Sequence, residues 1–234
     1  MAGRQDDFRN KLLQSMDAAD FERLAPSLRE VQLELRRELE RPNVPIETIY
    51  FPESGLASIV ARMSGGRDIE VGLAGRDGMT GTAVILGGSQ SPHSTFMQVA
   101  GAGWALPATV LRSALDASAS LRSLLLRYVQ TMMAQTASTA LANGQAKLEE
   151  RLARWLLMTH DRIDGSDVEL THEFLAVMLG VRRPGVTVAI HILEGKGLIR
   201  ANRGLLIIMD REGLEAHANG SYGSAEAEYR RLIG

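Results

Sequence analysis

Three hydrophobic periodicities follow one another along the chain. Near the N-terminus Phe8, Leu12, Leu13 and Met16 recur at helical spacing, and Asp20 is placed to cap a second helix through Phe21 and Leu24 until Pro26. From Val31 to about Leu106 the period falls to two. Val31-Gln32-Leu33-Glu34-Leu35 and Ile69-Glu70-Val71-Gly72-Leu73 alternate cleanly, and Ile49–Phe51, Ala57–Ala61, Thr82–Leu86 and Thr95–Val99 are further expected strands. Turn residues separate them at Arg41-Pro42-Asn43, Pro52-Glu53-Ser54-Gly55, Ser64-Gly65-Gly66, Gly75-Arg76-Asp77-Gly78 and Gly87-Gly88. Many short strands with glycine-rich turns predict a small barrel or jelly roll.

Residues 107–143 return to the helical period and predict one long helix opening near Pro107. Leu121, Leu125, Tyr128 and Met132 form one stripe; Leu126, Val129, Met133 and Ala140 form another. A helix apolar on two sides must be buried on two sides. We expect one stripe to cover the β-domain and the other to meet a second copy, with Ala134, Ala137 and Ala140 permitting close approach; the alternative is that both pack inside one subunit. Ala142-Asn143-Gly144 is the expected hinge, with a further helix from Gln145 to about Arg162. The domains so drawn are 1–106, 107–143 and 144–234.

Beyond it, Thr171 is placed to cap a short helix, His172–Leu179, and Gly180 supplies a tight turn with Val181 as an apolar plug. A second helix starts around Arg182, carries Pro184 in its first turn and turns Val186, Ile190 and Leu193 inward. Gly195-Lys196-Gly197 ends it. Leu198–Ala201 and Leu205–Met209 then flank Asn202-Arg203-Gly204 as a hairpin. Two helices at a glycine turn followed by a hairpin predict a winged helix-turn-helix, whose second helix fits a DNA major groove.

Composition sharpens this picture. The formal net charge of −2 excludes a uniformly basic nucleic-acid binder. The charge is nevertheless uneven: Arg182, Arg183, Lys196, Arg200 and Arg203 stand against Glu194 alone, while Asp161–Glu173 is acidic. A basic stripe on an acidic module is the footprint expected of a DNA binder, although a solvated helix face gives the same pattern. With no cysteine, disulfide scaffolds, thiolate zinc sites and iron–sulfur clusters are excluded. No apolar run is long enough for a membrane span and Met1–Asp7 has no signal-peptide character, so a cytoplasmic protein is expected.

The segment Leu170–Asp210 resembles the DNA-binding domain of the Crp/Fnr superfamily (cyclic-AMP receptor protein / fumarate-nitrate regulator) of bacterial transcription factors. The matching residues are Thr171, Leu175-Ala176, Gly180-Val181, Val186, Leu193-Glu194 and Gly197-Leu198-Ile199, without a gap. Upstream, a roll, a long helix and a hinge follow in the family's order. The resemblance implies an α+β chain with an N-terminal cyclic-nucleotide-binding-like β-roll, a long dimerisation helix and a C-terminal winged helix-turn-helix. It further implies a homodimer on an inverted-repeat operator in double-stranded DNA, and RNA polymerase as a partner. Two departures matter. Arg183 matches the family's first recognition arginine, but Pro184 replaces the following glutamate and Val188 the second arginine. In the family's phosphate-binding cassette a Gly-Glu pair and a later arginine hold the cyclic phosphate; here that region reads Gly81-Thr82, with Ser91-Pro92-His93-Ser94-Thr95 where the arginine would fall. Control by cyclic AMP in the usual way is therefore not expected.

The expected DNA-binding residues are Arg182 and Arg183 for bases or phosphates, with Thr187 and His191 further along the same face. Thr171 and the wing residues Arg200, Asn202 and Arg203 are expected at the DNA backbone, and His172 is a further expected DNA-binding residue. No cofactor is evident, and an unidentified small-molecule effector remains open. Enzymatic readings fail on spacing. His172-Glu173 would need a second histidine at position 176, which is alanine, and Gly101-Ala102-Gly103 lacks a third glycine at 106. A cupin-type metal enzyme would need clustered ligands where the strand region offers only His93; a haem held by an axial His or Met of the roll stays open, although nothing in the spacing asks for it. The rival reading is an effector-binding roll protein whose winged helix mediates protein contacts.

Overall fold

The computed structural model describes residues 4–63 and 67–234, so the turn expected at Ser64-Gly65-Gly66 lies outside the described residues. Short helices α1 (Lys11–Gln14) and α2 (Ala18–Leu24) precede strands β1 (Arg29–Leu33), β2 (Glu38–Glu40), β3 (Thr48–Pro52), β4 (Leu56–Met63) and β5 (Arg67–Ala74). Helix α3 (Thr82–Ile85), β6 (Ser94–Val99) and β7 (Gly101–Pro107) lead into α4 (Ala108–Ala117), α5 (Ala119–Gln145) and α6 (Leu148–His160). The chain finishes with β8 (Asp167–Glu169), α7 (His172–Met178), α8 (Arg183–Gly195), β9 (Ile199–Asn202), β10 (Leu205–Ile208), α9 (Arg211–His217) and α10 (Ser224–Leu232). The α+β expectation holds. Two sheets, ordered β1-β7-β3 and β2-β6-β4-β5, make the roll, and a third, β8-β10-β9, is the wing.

Contacts divide the chain into two units. One comprises Met1–Ile59, Leu73–Met133 and Glu228–Gly234; the other comprises Val60–Gly72 and Ala134–Ala227. In the first, Leu33, Tyr50, Ala57, Ala74 and Met97 cluster between strands, while Phe8, Leu12, Leu24, Phe51, Leu106, Leu111 and Leu125 form the larger core under the helices. The N-terminal helices are fixed by polar groups as well as apolar ones. Buried Asn10 accepts from the Leu13 amide as N-cap of α1 and donates to the Pro52 and Gly78 carbonyls.

The long helix departs from expectation in three ways. It is two helices, broken at Ser118, whose backbone is extended and whose Oγ accepts from the Leu121 amide at 3.2 Å. A serine N-cap restarts the helix there. At the other end Asn143-Gly144 does not break it; α5 runs on to Gln145, and the chain turns at Ala146 and Lys147.

The third departure concerns the stripes. Leu121, Leu125 and Tyr128 are buried, and so is Val129, expected on the other stripe. The Tyr128 hydroxyl donates to the Met79 carbonyl at 2.8 Å and accepts from the Met79 amide at 3.0 Å, so this residue is a core strut. Leu126, Met133 and Leu141 remain 43%, 68% and 66% exposed. Beside them α10 runs antiparallel to α5: Gln130 donates to the Glu228 carboxylate, Arg127 Nε to the Leu232 carbonyl, and the Ser138 and Ser224 hydroxyls pair. What stays open on α5 includes a strip through Leu126, Met133, Ala137, Ala140 and Leu141.

The Thr82–Leu86 strand is a further correction. These residues form α3, because Gly81 adopts φ +79° and its amide is held by a carboxylate from β2, described below. A short β-branched run carries no helical period of its own, and tertiary contact decides it.

Candidate nucleic-acid interface

In the second unit α6 packs on α8 and α9. The buried residues of these helices include Leu152, Trp155 and Leu156 on α6, Val186, Ile190 and Leu193 on α8, and Leu214 on α9. The expected helix-turn-helix is α7 and α8, which meet at 102°, within the roughly 90–120° usual for this motif. Thr171 is the N-cap of α7, its hydroxyl accepting from the Phe174 amide at 3.2 Å. Gly180 has φ +62°, a conformation costly for other residues, and makes the turn while the Val181 amide reaches back to the Ala176 carbonyl. Arg182 is the extended N-cap of α8, and Pro184 lies in its first turn. Burying Val186, Ala189, Ile190 and Leu193 leaves Arg182, Arg183, Pro184, Val188 and His191 outward.

The wing follows without slack. β9 and β10 pair from Ile199↔Ile208 to Asn202↔Leu205, leaving Arg203-Gly204 as the tip, with Gly204 at φ +77°. β8 closes the sheet through Val168↔Leu206. Glu194, the one acid in the basic stripe, is engaged by the backbone: its carboxylate accepts from the Ala201 amide at 2.9 Å and clamps the wing to the end of α8. Arg200, Asn202 and Arg203 are exposed.

The nine expected residues therefore sit on α7, α8 and the wing, but they are not equally available. Arg182, Arg183 and His191 are exposed, as is Thr171. Thr187 is half-buried. Its hydroxyl donates to the Arg183 carbonyl at 3.3 Å, so at the 3.1 Å contact with His172 the ring donates through Nδ1. Thr187 and His172 thus hold α8 against α7. Val188, which the family resemblance marks only as a replaced arginine, is 58% exposed and puts an apolar side chain in the middle of this face.

The segment that the resemblance aligns with the phosphate-binding cassette is tied to β2. Glu40, only 8% exposed, places a carboxylate oxygen 2.5 Å from the Gly81 amide at the start of α3 and is also held by the Thr95 hydroxyl. Burial pushes its carboxyl pKa up, against the two hydrogen bonds that pull it down. With the folded value above the ordinary 4.5, its contribution to stability is present below pH 4.5 and lost as pH rises through the folded pKa. Glu40→Gln keeps an acceptor for Gly81 without a charge to desolvate. Urea unfolding should find the variant at least as stable as wild type at pH 7, and flatter in its pH dependence above 4.5. A variant less stable at pH 7 than at pH 4.5 by the same margin as wild type would show that Glu40 is not the titrating group.

Residues 150–217 match the family model of the Crp-like helix-turn-helix domain. Among curated proteins none matches the chain in sequence. Solved structures share its fold. A transcriptional regulator of the Crp/Fnr family from Eubacterium rectale is 19% identical with a TM-score of 0.70, covering 89% of this chain and 98% of that one. A CRP-family regulator from Thermus thermophilus is 20% identical with a TM-score of 0.66, over 81% and 97%. FixK2 from Bradyrhizobium japonicum is 15% identical with a TM-score of 0.67, over 81% and 96%. The chain accordingly has the Crp/Fnr-like fold, a cyclic-nucleotide-binding-like roll and long helix ending in a Crp-like helix-turn-helix domain.

Proposed function

We propose that the protein is a sequence-specific DNA-binding transcription regulator that acts as a homodimer in the cytoplasm and not as an enzyme. The observation that carries this reading is the exposed face of α8, bearing Arg182, Arg183, Val188 and His191, with the basic wing clamped beside it. Arg183, at the first helical position, reaches guanine O6 and N7, and Val188 packs on a thymine methyl. Arg182 grips a phosphate or a base; Thr171, Arg200, Asn202 and Arg203 grip phosphates, and His172 braces Thr187 behind them. The second copy docks along the open strip of α5, through Leu126 and Met133. RNA polymerase is the further partner suggested by the fold. Glu40 on the Gly81 amide supports a roll that does not answer to cyclic AMP in the usual way.

Selection of bound duplexes from a random pool tests this. Two-fold symmetry calls for an inverted repeat with half-sites about 34 Å apart. The logarithm of affinity should fall linearly with the logarithm of salt concentration. Added cyclic AMP should leave the enriched sequence unchanged, while cell extract exposes any other effector. No enrichment under any condition, with retention of a protein from the extract instead, would favour a winged helix that serves protein contacts.

A further inference from the structure

Within the second unit a cavity of about 20 Å³ lies among Glu70 of β5, Thr139 of α5, Arg151, Arg154 and Trp155 of α6, and Leu179 at the end of α7. Two cations line it. Arg154 is only 5% exposed; its Nε donates to the Ser221 carbonyl at 2.8 Å, but its Nη2 is buried with no hydrogen-bond partner. Arg151 donates through Nη2 to the Leu179 carbonyl, and its buried Nε is likewise unpartnered. Glu70 accepts from the Trp155 indole N–H at 2.8 Å, and neither orphaned donor is paired with it. Burial pushes the pKa of both arginines down, for Arg154 against the opposing pull of Glu226 and Glu70 and with the repulsion of Arg162.

We propose that this cavity is a binding site for one small monoatomic anion of the chloride class, held between the Arg151 and Arg154 guanidinium groups. The size admits one water-sized species, since a single water needs roughly 10–15 Å³. The chemistry selects among species of that size. Both orphaned lining atoms are N–H donors, so an occupant that only accepts satisfies them, whereas a water brings two protons of its own. The lining carries two guanidinium groups and one carboxylate, which leaves the cavity positive. An ion here joins the strand β5, the helix α6 and the first helix of the helix-turn-helix around one charge. The site stands independently of what α8 binds.

Thermal unfolding of the full chain in sodium chloride, bromide or gluconate at matched ionic strength tests it. Halide should raise Tm saturably over gluconate, by about 4 °C at a tenfold excess over Kd. Arg154→Met should abolish that increment; Arg151→Met, on the more exposed partner, should reduce it and decides the matter where Arg154→Met does not fold. Crystals grown in bromide should show an anomalous peak in contact with both guanidinium groups. Identical Tm in halide and gluconate, an undiminished increment in Arg151→Met, or no anomalous peak at this position would overturn the proposal in favour of a water.

Discussion

Replacing Leu126 and Met133 together by glutamate is expected to turn the protein into a monomer at micromolar concentration and to remove operator recognition. Both side chains are exposed, at 43% and 68%, so the fold has no reason to suffer, and far-UV circular dichroism should be unchanged. In a parallel pair of α5 helices the four carboxylates would face each other, and the apolar contact that favours pairing would be gone. A lone winged helix reads one half-site. Specific complexes exceed non-specific ones by about 10³-fold or more, and losing the second half-site should forfeit a large part of that factor on the inverted repeat. Sedimentation equilibrium and gel-shift titration measure the two effects separately. A wild-type chain that already sediments as a monomer at micromolar concentration, or a variant that remains dimeric, would refute pairing through this strip. Tyr128, which sequence periodicity nominates for the same experiment, is unsuitable: its hydroxyl bridges the Met79 amide and carbonyl, and glutamate there would break the roll.

Arg183→Ala and Arg203→Ala should differ in kind as well as in size. Arg183 occupies the first position of α8, where a guanidinium can pair with guanine O6 and N7 together. Its loss should cost roughly 1–3 kcal/mol on the operator and relax preference at one base position per half-site. Arg203 lies at the hairpin tip. Its loss should weaken all sequences alike and reduce the salt slope by about 1. Titrations against operator and random duplex over a range of salt distinguish the two. Equal losses on operator and random DNA for Arg183→Ala would make it a phosphate contact and move base reading to Arg182 or Val188.

The parts of this molecule that are legible in its sequence are those whose causes are local. The hydroxyl cap of Thr171, the glycine turn at Gly180 and the inward spacing of Val186, Ile190 and Leu193 lie within a few residues of what they determine, and all three are found where the pattern puts them. The nine site residues can be placed on their elements for the same reason. What is illegible depends on distant partners. Glu40 converts the Thr82–Ile85 run into a helix start from 41 residues away, and Trp155 reaches Glu70 across 85. Half-burial of Thr187 is equally hidden, because His172 belongs to the neighbouring helix. The break at Ser118, by contrast, has a local cause. A serine three residues ahead of the amide it caps is visible in the sequence, but the apolar period runs through it unbroken and masks that single signal.

The bond from Glu194 to the Ala201 amide has a consequence for how operators can vary. Because it fastens the hairpin to the end of α8, helix and wing would act, under the proposed function, as a ruler with one interval between base edges and phosphates. Such a ruler has no internal play with which to follow a stretched or underwound half-site. Tolerance within a half-site must then come from bending of the duplex, and the sequences between contacted bases would be chosen for how easily they bend, at positions no side chain touches.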